Sequence, residues 1–456
     1  MIQTIPIFSN KIEKSIDKRF SPKYFFLLHE LNELEKHPNI KKIEKLVDIV
    51  EYIISGSYIP RYFETGTAYL RVSDIKTIEL DLNPDNLVFV NENEIAIPGK
   101  IKTKEGDLVI GRTAVLGICS LINKLSSGFI ISQHLTRLKP KLHLPTGYLA
   151  TFLNSSLFKK QMEIASFGIT RLELTHAQLR EVKIPILNKR DMEKIDKLIL
   201  LADRKHIEAL NKIEEAKQIF EEEININQAN TKEEKIYFIN SDDLTDILTP
   251  KFYYPKYLNT LKQLRKKFKT VKLGDIADIK RGDEVGSENY KRYIDKQDSD
   301  IPFIRTSDLV NYEIDNYPDY YVDEEIYKEL NQDLREEDIL YTKDGKIGLS
   351  AIITREDKCI IASGIARMRA KKEVNPYYVF LILSTKIGLY QALQRTVIAA
   401  TLPHLRPERL AEVEIPLIDP RTRNKISELV KGSFELKQEK KKLIKQALEV
   451  VENLIK

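Results

Sequence analysis

The stretch Tyr69-Leu70-Arg71-Val72-Ser73-Asp74-Ile75 returns 234 residues later as Phe303-Ile304-Arg305-Thr306-Ser307-Asp308-Leu309. One such match carries little weight, but working outward from it the agreement continues in order. Asp107-Leu108-Val109 through Gly117 matches Asp338-Ile339-Leu340 through Gly348 at an offset of 231, and Ile130-Ile131 with Arg137 matches Ile360-Ile361 with Arg367 at 230. Leu179, Val182, Ile184 and Pro185 match Leu410, Val413, Ile415 and Pro416, again at 231. Upstream, Ser21-Pro22-Lys23-Tyr24 resembles Thr249-Pro250-Lys251-Phe252, and Lys45-Leu46-Val47-Asp48-Ile49 resembles Lys272-Leu273-Gly274-Asp275-Ile276. Collinear blocks whose offsets drift only between 227 and 234 define an internal duplication. The 456 residues are therefore two units of about 228, and not the loosely defined set of domains that length alone suggests.

Each copy has the pattern of an α+β domain. Helical stretches (Phe25 to Glu35; Tyr257 to Lys267) precede short strands such as Leu108 to Ile110 and Ile339 to Tyr341, rich in branched apolar residues and separated by glycine turns. Helical spacing returns over Pro145 to Met162 and Pro376 to Gln394, with proline placed near a first turn. A different kind of segment closes each copy. From Ile195, the positions Ile199, Ala202, His206, Ala209, Ile213, Ala216 and Phe220 alternate steps of four and three, the spacing of a coiled-coil seam with His206 as its polar entry. The second copy gives Ile426, Leu429, Ser433, Leu436, Lys440, Leu443, Ala447, Val450 and Leu454. A helix of about 30 residues, ~45 Å long, with one narrow apolar stripe needs a partner, and its counterpart in the other copy is the nearest candidate. The polar stretch Ile224 to Glu234 reads as the linker between copies.

Hydrophobic residues make up 42% and charged residues 31%, an ordinary globular composition without an apolar run long enough for a membrane span. Cys119 and Cys359 are too few for a disulfide framework and fit a reducing cytoplasm as inert thiols. A net charge of +5 is modest for a polyanion binder, so any nucleic-acid face must concentrate its charge locally. Catalytic spacings are missing: the sequence holds no phosphate loop, no H-E-x-x-H, no G-x-S-x-G and no paired-cysteine zinc pattern. Asn375-Pro376-Tyr377-Tyr378 mimics an amino-methyltransferase loop but reads better as a helix start. Glu356-Asp357-Lys358, with Asp319 as a conceivable second carboxylate, mimics half a nuclease site but reads better as a hairpin turn between Ala351 to Thr354 and Cys359 to Ala362. His206 has no second His or Cys at i+3 or i+4 and reads as a register-setting seam residue.

Polar loops remain. Arg112-Thr113 and Lys343-Asp344-Gly345-Lys346 stand at matching places after a strand. Thr170-Arg171 with His176, Gln178 and Arg180 corresponds to Thr401, His404, Arg406 and Arg409. The densest basic run, Lys262 to Lys272, holds six Lys or Arg and no acid. Cationic loops with small polar residues suit phosphates and base edges.

With these residues in place, the chain resembles a type I restriction-modification specificity (S) subunit. The carriers are Lys272 to Ala277 followed by Gly282, Ile301-Pro302-Phe303-Ile304-Arg305 through Asp308-Leu309, Asp338-Ile339-Leu340 with Gly345 and Gly348, and Leu410 to Pro416, each echoed in the first half. Where that family usually opens its long helix with Glu-Gln, this chain has Asn188-Lys189-Arg190-Asp191 and Asp419-Pro420-Arg421-Thr422. The resemblance implies two target recognition domains, 1–187 and 243–418, with spacer helices 188–225 and 419–456 forming an antiparallel coiled coil and a linker at 226–242. It further implies a non-catalytic, cytoplasmic subunit that binds double-stranded DNA, with each domain reading one half of a bipartite target. Two methyltransferase (M) subunits and restriction (R) subunits would assemble with it and supply the S-adenosylmethionine, ATP and magnesium chemistry. A related methyltransferase-nuclease system, an enzyme with its own recognition domains and a protein scaffold are the competing readings. The expected base readers are Arg112, Thr113, Gln133, His134 and Arg171 in the first domain and Lys343, Lys346, Ser363, His404 and Arg406 in the second. Arg71 and Arg305, recurring in both copies, suit a shared role in phosphate contact or structure.

Overall fold

The computed structural model describes residues 29, 31–34, 37–76, 78–84, 86–113, 117–166, 174–226, 236–245, 247–283, 301–315, 317–399 and 402–455. Arg171, Thr170, Thr401, Ser21 to Tyr24 and most of the expected linker lie outside the described residues. The chain divides into two compact units, residues 1–204 with 440–456 and residues 205–439.

In the first unit, an antiparallel sheet contains β1 (Val50–Ser55), β2 (Leu108–Gly111), β3 (Cys119–Leu121) and β4 (Leu135–Pro140) in the order β1-β4-β2-β3. A second sheet joins Val88–Val90, Thr67–Leu70 and Ile130–Ile131, with Tyr69 opposite Ile130 and Leu70 opposite Ile131 in parallel pairing. The apolar run of β2 is buried on both faces, which explains why it does not alternate with polar residues. Leu108 and Ile110 enter a core with Tyr148, Phe152, Phe158, Ile195 and Ile199, whereas Val109 points to a second cluster with Tyr69, Leu70 and Ile130.

The second unit repeats this plan with β5 (Ala277–Arg281), β6 (Ile339–Thr342), β7 (Ser350–Ile352) and β8 (Ile365–Ala370), in the order β5-β8-β6-β7. Its three-stranded sheet pairs Phe303 with Ile360 and Ile304 with Ile361, also in parallel. Gly56 and Gly282 follow β1 and β5 directly. A Cβ at these positions would fall 1.9 Å from Ile131 O and 2.3 Å from Ile361 O, so only glycine permits the chain to cross there.

The long helices α1 (Lys189–Ile224) and α2 (Pro420–Ile455) have 36 residues each, about 54 Å at 1.5 Å per residue. Both starts are capped by the residues that replace Glu-Gln. Asn188 Oδ1 accepts from Asp191 N at 2.9 Å, and Asp419 Oδ2 accepts from Arg421 N and Thr422 N at 2.9 and 3.1 Å. Within the second unit the helices run antiparallel: Thr422 reaches Glu223, Ser433 Oγ donates to Ala209 O at 2.7 Å, and Lys205 pairs with Glu439. In the first unit Ile195, Ile199 and Ala202 share a core with Ile444, Ala447, Val451 and Ile455.

The seam expected in α1 is buried at every position, His206 included. That of α2 differs from expectation. A buried stripe runs through Ile426, Val430, Ser433, Lys437, Lys440, Ile444, Ala447, Val451 and Ile455, with Ser427, Phe434 and Lys441 also buried beside it, while Leu429, Leu436, Leu443, Val450 and Leu454 are half-exposed. Lys437 and Lys440 sit inside because each ammonium finds a partner beyond the helix pair: Lys440 reaches Glu79 Oε2 at 2.6 Å in the first unit, and Lys437 reaches Asn311 O in the second. Two other expectations are corrected. The helical stretches after Pro145 and Pro376 are each broken, into Thr146–Phe152 with Ser156–Ser166 and Pro376–Leu383 with Lys386–Gln394. Glu356-Asp357-Lys358 is not a hairpin turn, because Ser350–Ile352 and Ile360–Ile361 belong to different sheets.

Candidate nucleic-acid interface

In each unit three loops meet beyond one end of the four-stranded sheet. Arg112 follows β2 directly. Its N–H donates to His134 O at 3.0 Å, and its carbonyl accepts from Leu174 N at 2.9 Å. Its guanidinium spans the same loops, donating from Nη2 to Gln133 O at 2.6 Å and from Nη1 to Leu174 O at 3.2 Å. Gln133 Nε2 lies 3.1 Å from His134 Nε2, and Thr113 is half-buried beside them. His176 Nε2 contacts Ser55 Oγ at 2.5 Å. Burial, with Arg112 and Arg180 nearby, holds this imidazole below its ordinary pKa.

The second unit repeats the backbone wiring. Lys343 N donates to Gly364 O at 2.8 Å, Leu405 N donates to Lys343 O at 2.8 Å, and Gly345 N donates to Pro403 O at 2.9 Å. The side chains differ. Lys343 is 2% exposed, with its ammonium 2.8 Å from Asp344 Oδ2, and the other oxygen of Asp344 takes His404 Nδ1. Ser363 is half-buried next to Gly364, while Lys346 and Arg406 are exposed on the rim.

Arg112, Thr113, Gln133 and His134 come together in the first unit and Lys343, Lys346, Ser363, His404 and Arg406 in the second, but they do not all face outward. Arg112 and Lys343 tie loops together, leaving Thr113, Gln133, His134, Lys346, Ser363, His404 and Arg406 nearer the surface. Arg71 and Arg305 close equivalent turns. Arg71 Nη2 binds Asp74 at 2.9 Å and Asn86 O at 2.8 Å; Arg305 binds Asp319 at 2.7 Å and lies 4.1 Å from the centroid of the Tyr320 ring. The basic run from Lys262 is partly spent on the fold as well, with Arg265 on Glu414 and Lys267 on the carbonyls of Ile224 and Asn225. Asn375 caps its helix, accepting from Tyr377 N at 3.0 Å, and Asp357 accepts from Thr354 N at 2.9 Å to close a turn.

Sequence reasoning missed two features. Asp344 fixes His404, and its position next to Lys343 was the available signal. Tyr58 and Tyr62, 66% and 48% exposed around Arg61, form an aromatic loop in the first unit; a Tyr-Ile-Pro-Arg-Tyr-Phe run reads as core, and nothing in its spacing marks it as surface. Among the described residues no helix is long and apolar enough to cross a membrane.

A duplicated α+β scaffold, with a polar loop cluster in each copy and a long helix following each, defines a protein built from two equivalent modules. The chain belongs to the family described as "Type I restriction modification DNA specificity domain", whose profile matches twice, over residues 41–226 and 265–449. Among solved structures it is similar to the S subunit of a type I restriction-modification system from M. genitalium, with 16% identity, 92% of this chain and 96% of that chain covered, and a TM-score of 0.36. The HsdS subunit from Thermoanaerobacter tengcongensis gives 15% identity, coverage of 92% and 97%, and a TM-score of 0.30. A structure from a type I R-M system, described for its complex assembly and conformational transition, gives 14%, 92% and 98%, and 0.30. No curated protein matches the chain.

Proposed function

We propose that the chain directs a type I restriction-modification complex to a bipartite DNA sequence, each unit reading one half-site in duplex DNA. The observation that carries this reading is one scaffold present twice with different side chains at the same loop cluster, as two different half-sites require. Lys346 and Arg406 contact phosphates, and Thr113, Gln133, His134, Ser363 and His404 are the groups placed to meet base edges. The long helices set the distance between half-sites and dock two methyltransferase subunits, to which restriction subunits add. S-adenosylmethionine, ATP and magnesium belong to those partners, and the chain itself performs no catalysis; the complex acts on cytoplasmic DNA. Co-expression with the methyltransferase partner, followed by methylation-sensitive sequencing of the host DNA, should return one split motif with a fixed spacer. An uninterrupted motif, or none, would overturn the reading.

A further inference from the structure

In the second unit, strands Leu309–Val310 and Glu313–Ile314 form a hairpin with Leu309 opposite Ile314 and Val310 opposite Glu313. Its two turn residues, Asn311 and Tyr312, have φ of 50° and 64°. A two-residue turn with both φ positive is of type I′, where asparagine is tolerated first and glycine is preferred second. A tyrosine in that second place holds backbone strain, and such strain persists only where the surroundings over-determine it.

The surroundings do so. Tyr312 is 3% exposed. Lys217 of α1 donates to its hydroxyl at 2.6 Å and lies 4.6 Å from the ring centroid. Lys437 of α2 is fully buried, 5.4 Å from the same ring and 4.9 Å from that of Phe434, and donates to Asn311 O. Phe380 meets the ring edge-on at 6.2 Å. Each long helix thus sends a lysine to the same two-residue turn, and Lys437 does so from a seam position that an apolar residue would otherwise fill. The corresponding position of the first unit, 234 residues earlier, is Ile78, which packs in an apolar cluster.

We propose that Tyr312 is a clamp that fixes the orientation of the second recognition domain on its helix pair, and that this stiffness makes the protein strict about the DNA spacer between half-sites. The inference rests on the bipartite reading above. Each added base pair moves a half-site by about 3.4 Å and turns it by about a tenth of a helical turn. A domain free to swivel on its helices would follow such a change, whereas a clamped one would not. Tyr312 is here a positioning residue, acting through the docking of the domain without touching bases.

The test uses the complex of the full chain with its methyltransferase partner and duplexes whose spacer is one base pair shorter than, equal to, or longer than the native length. Tyr312→Gly removes the ring while giving the turn its preferred residue, so the hairpin survives. Tyr312→Phe keeps the ring and removes only the hydroxyl. Methylation of off-length duplexes, relative to the native length, should rise by roughly 10-fold in Y312G and by less in Y312F, as expected when cation–π contacts are lost. Hydrogen exchange over residues 309–314 should accelerate in Y312G with helix content unchanged. A parent complex with a fixed spacer and an equally strict Y312G would overturn this inference alone. A parent that methylates no split motif would overturn the functional reading and this inference with it.

Discussion

Arg112 in the first unit and Lys343 in the second each stand one residue beyond equivalent strands and knit the same three loops, yet their chemistry differs. The planar guanidinium of Arg112 satisfies two carbonyls at once. The ammonium of Lys343 is a point charge; buried, it needs a carboxylate, and Asp344 supplies one and then holds His404 with its other oxygen. Backbone wiring is preserved between the copies while the side chains around it change, which is how one fold can present two different surfaces.

The largest expected difference between the copies lies beneath the loops. Asp107 and Arg137 form a buried pair at 3.3 Å, with Tyr52 donating to Asp107 at 2.6 Å. Asp338 and Arg367 repeat it, but Arg367 also binds Asp278 at 2.7 Å, and Arg369 joins Asp338 at 2.7 Å and Asp333 at 3.0 Å. Asp107→Ala should therefore cost about 3–5 kcal/mol by stranding a buried guanidinium, and Asp338→Ala about 1–3 kcal/mol because alternative carboxylates remain. Denaturant unfolding with hydrogen exchange resolved by unit checks this, and equal losses would break the comparison.

Next in size is the junction itself. Arg112→Lys cannot hold both carbonyls and should destabilise the first unit by about 1–3 kcal/mol. Lys343→Met should cost less, since Asp344 keeps His404 and its carboxylate stays partly exposed to water. The same unfolding measurement ranks them.

A smaller effect separates the copies by pH. The folded-state pKa of His176 is depressed, so the unfolded chain takes up the proton first. The associated stability is present above about pH 6.5 and is lost as pH falls through the folded value. Pro407 stands at the corresponding place, 231 residues on, and titrates nothing. Melting of the first unit should fall between pH 7 and 5, and His176→Gln should flatten that dependence. A dependence that survived in His176→Gln would break this part of the comparison.

Smallest for stability are Lys346→Ala and Arg406→Ala, expected within about 0.5 kcal/mol of the parent. Each should nonetheless weaken DNA binding and lower the salt slope by about one. Unchanged binding isotherms would remove these two residues from the interface.

Much of this was legible in the chain. The repeat located several equivalent strands, among them Leu108–Gly111 with Ile339–Thr342 and Ile130–Ile131 with Ile360–Ile361, because buried strands demand apolar residues at fixed positions in both copies. The seam of α1 could be read directly, since its residues are apolar except His206. The seam of α2 could not: Leu429, Leu436 and Leu443 look like seam residues, whereas Lys437 looks exposed. Hydrophobic periodicity has no means of representing an ammonium that leaves the helix pair for a carbonyl or carboxylate far away in sequence. Asp344, beside a lysine already noted, was within reach of sequence reasoning; its grip on His404, 60 residues later, was not.

The sequence by itself determined the duplication, the α+β plan, the two long helices and the family, because period and apolar patterning are local properties repeated in order. Only the tertiary structure decided which cations are spent on the fold and which face outward, and that two lysines close on Tyr312. Those outcomes depend on burial and on partners brought together by folding, and charge alone carries no information about either.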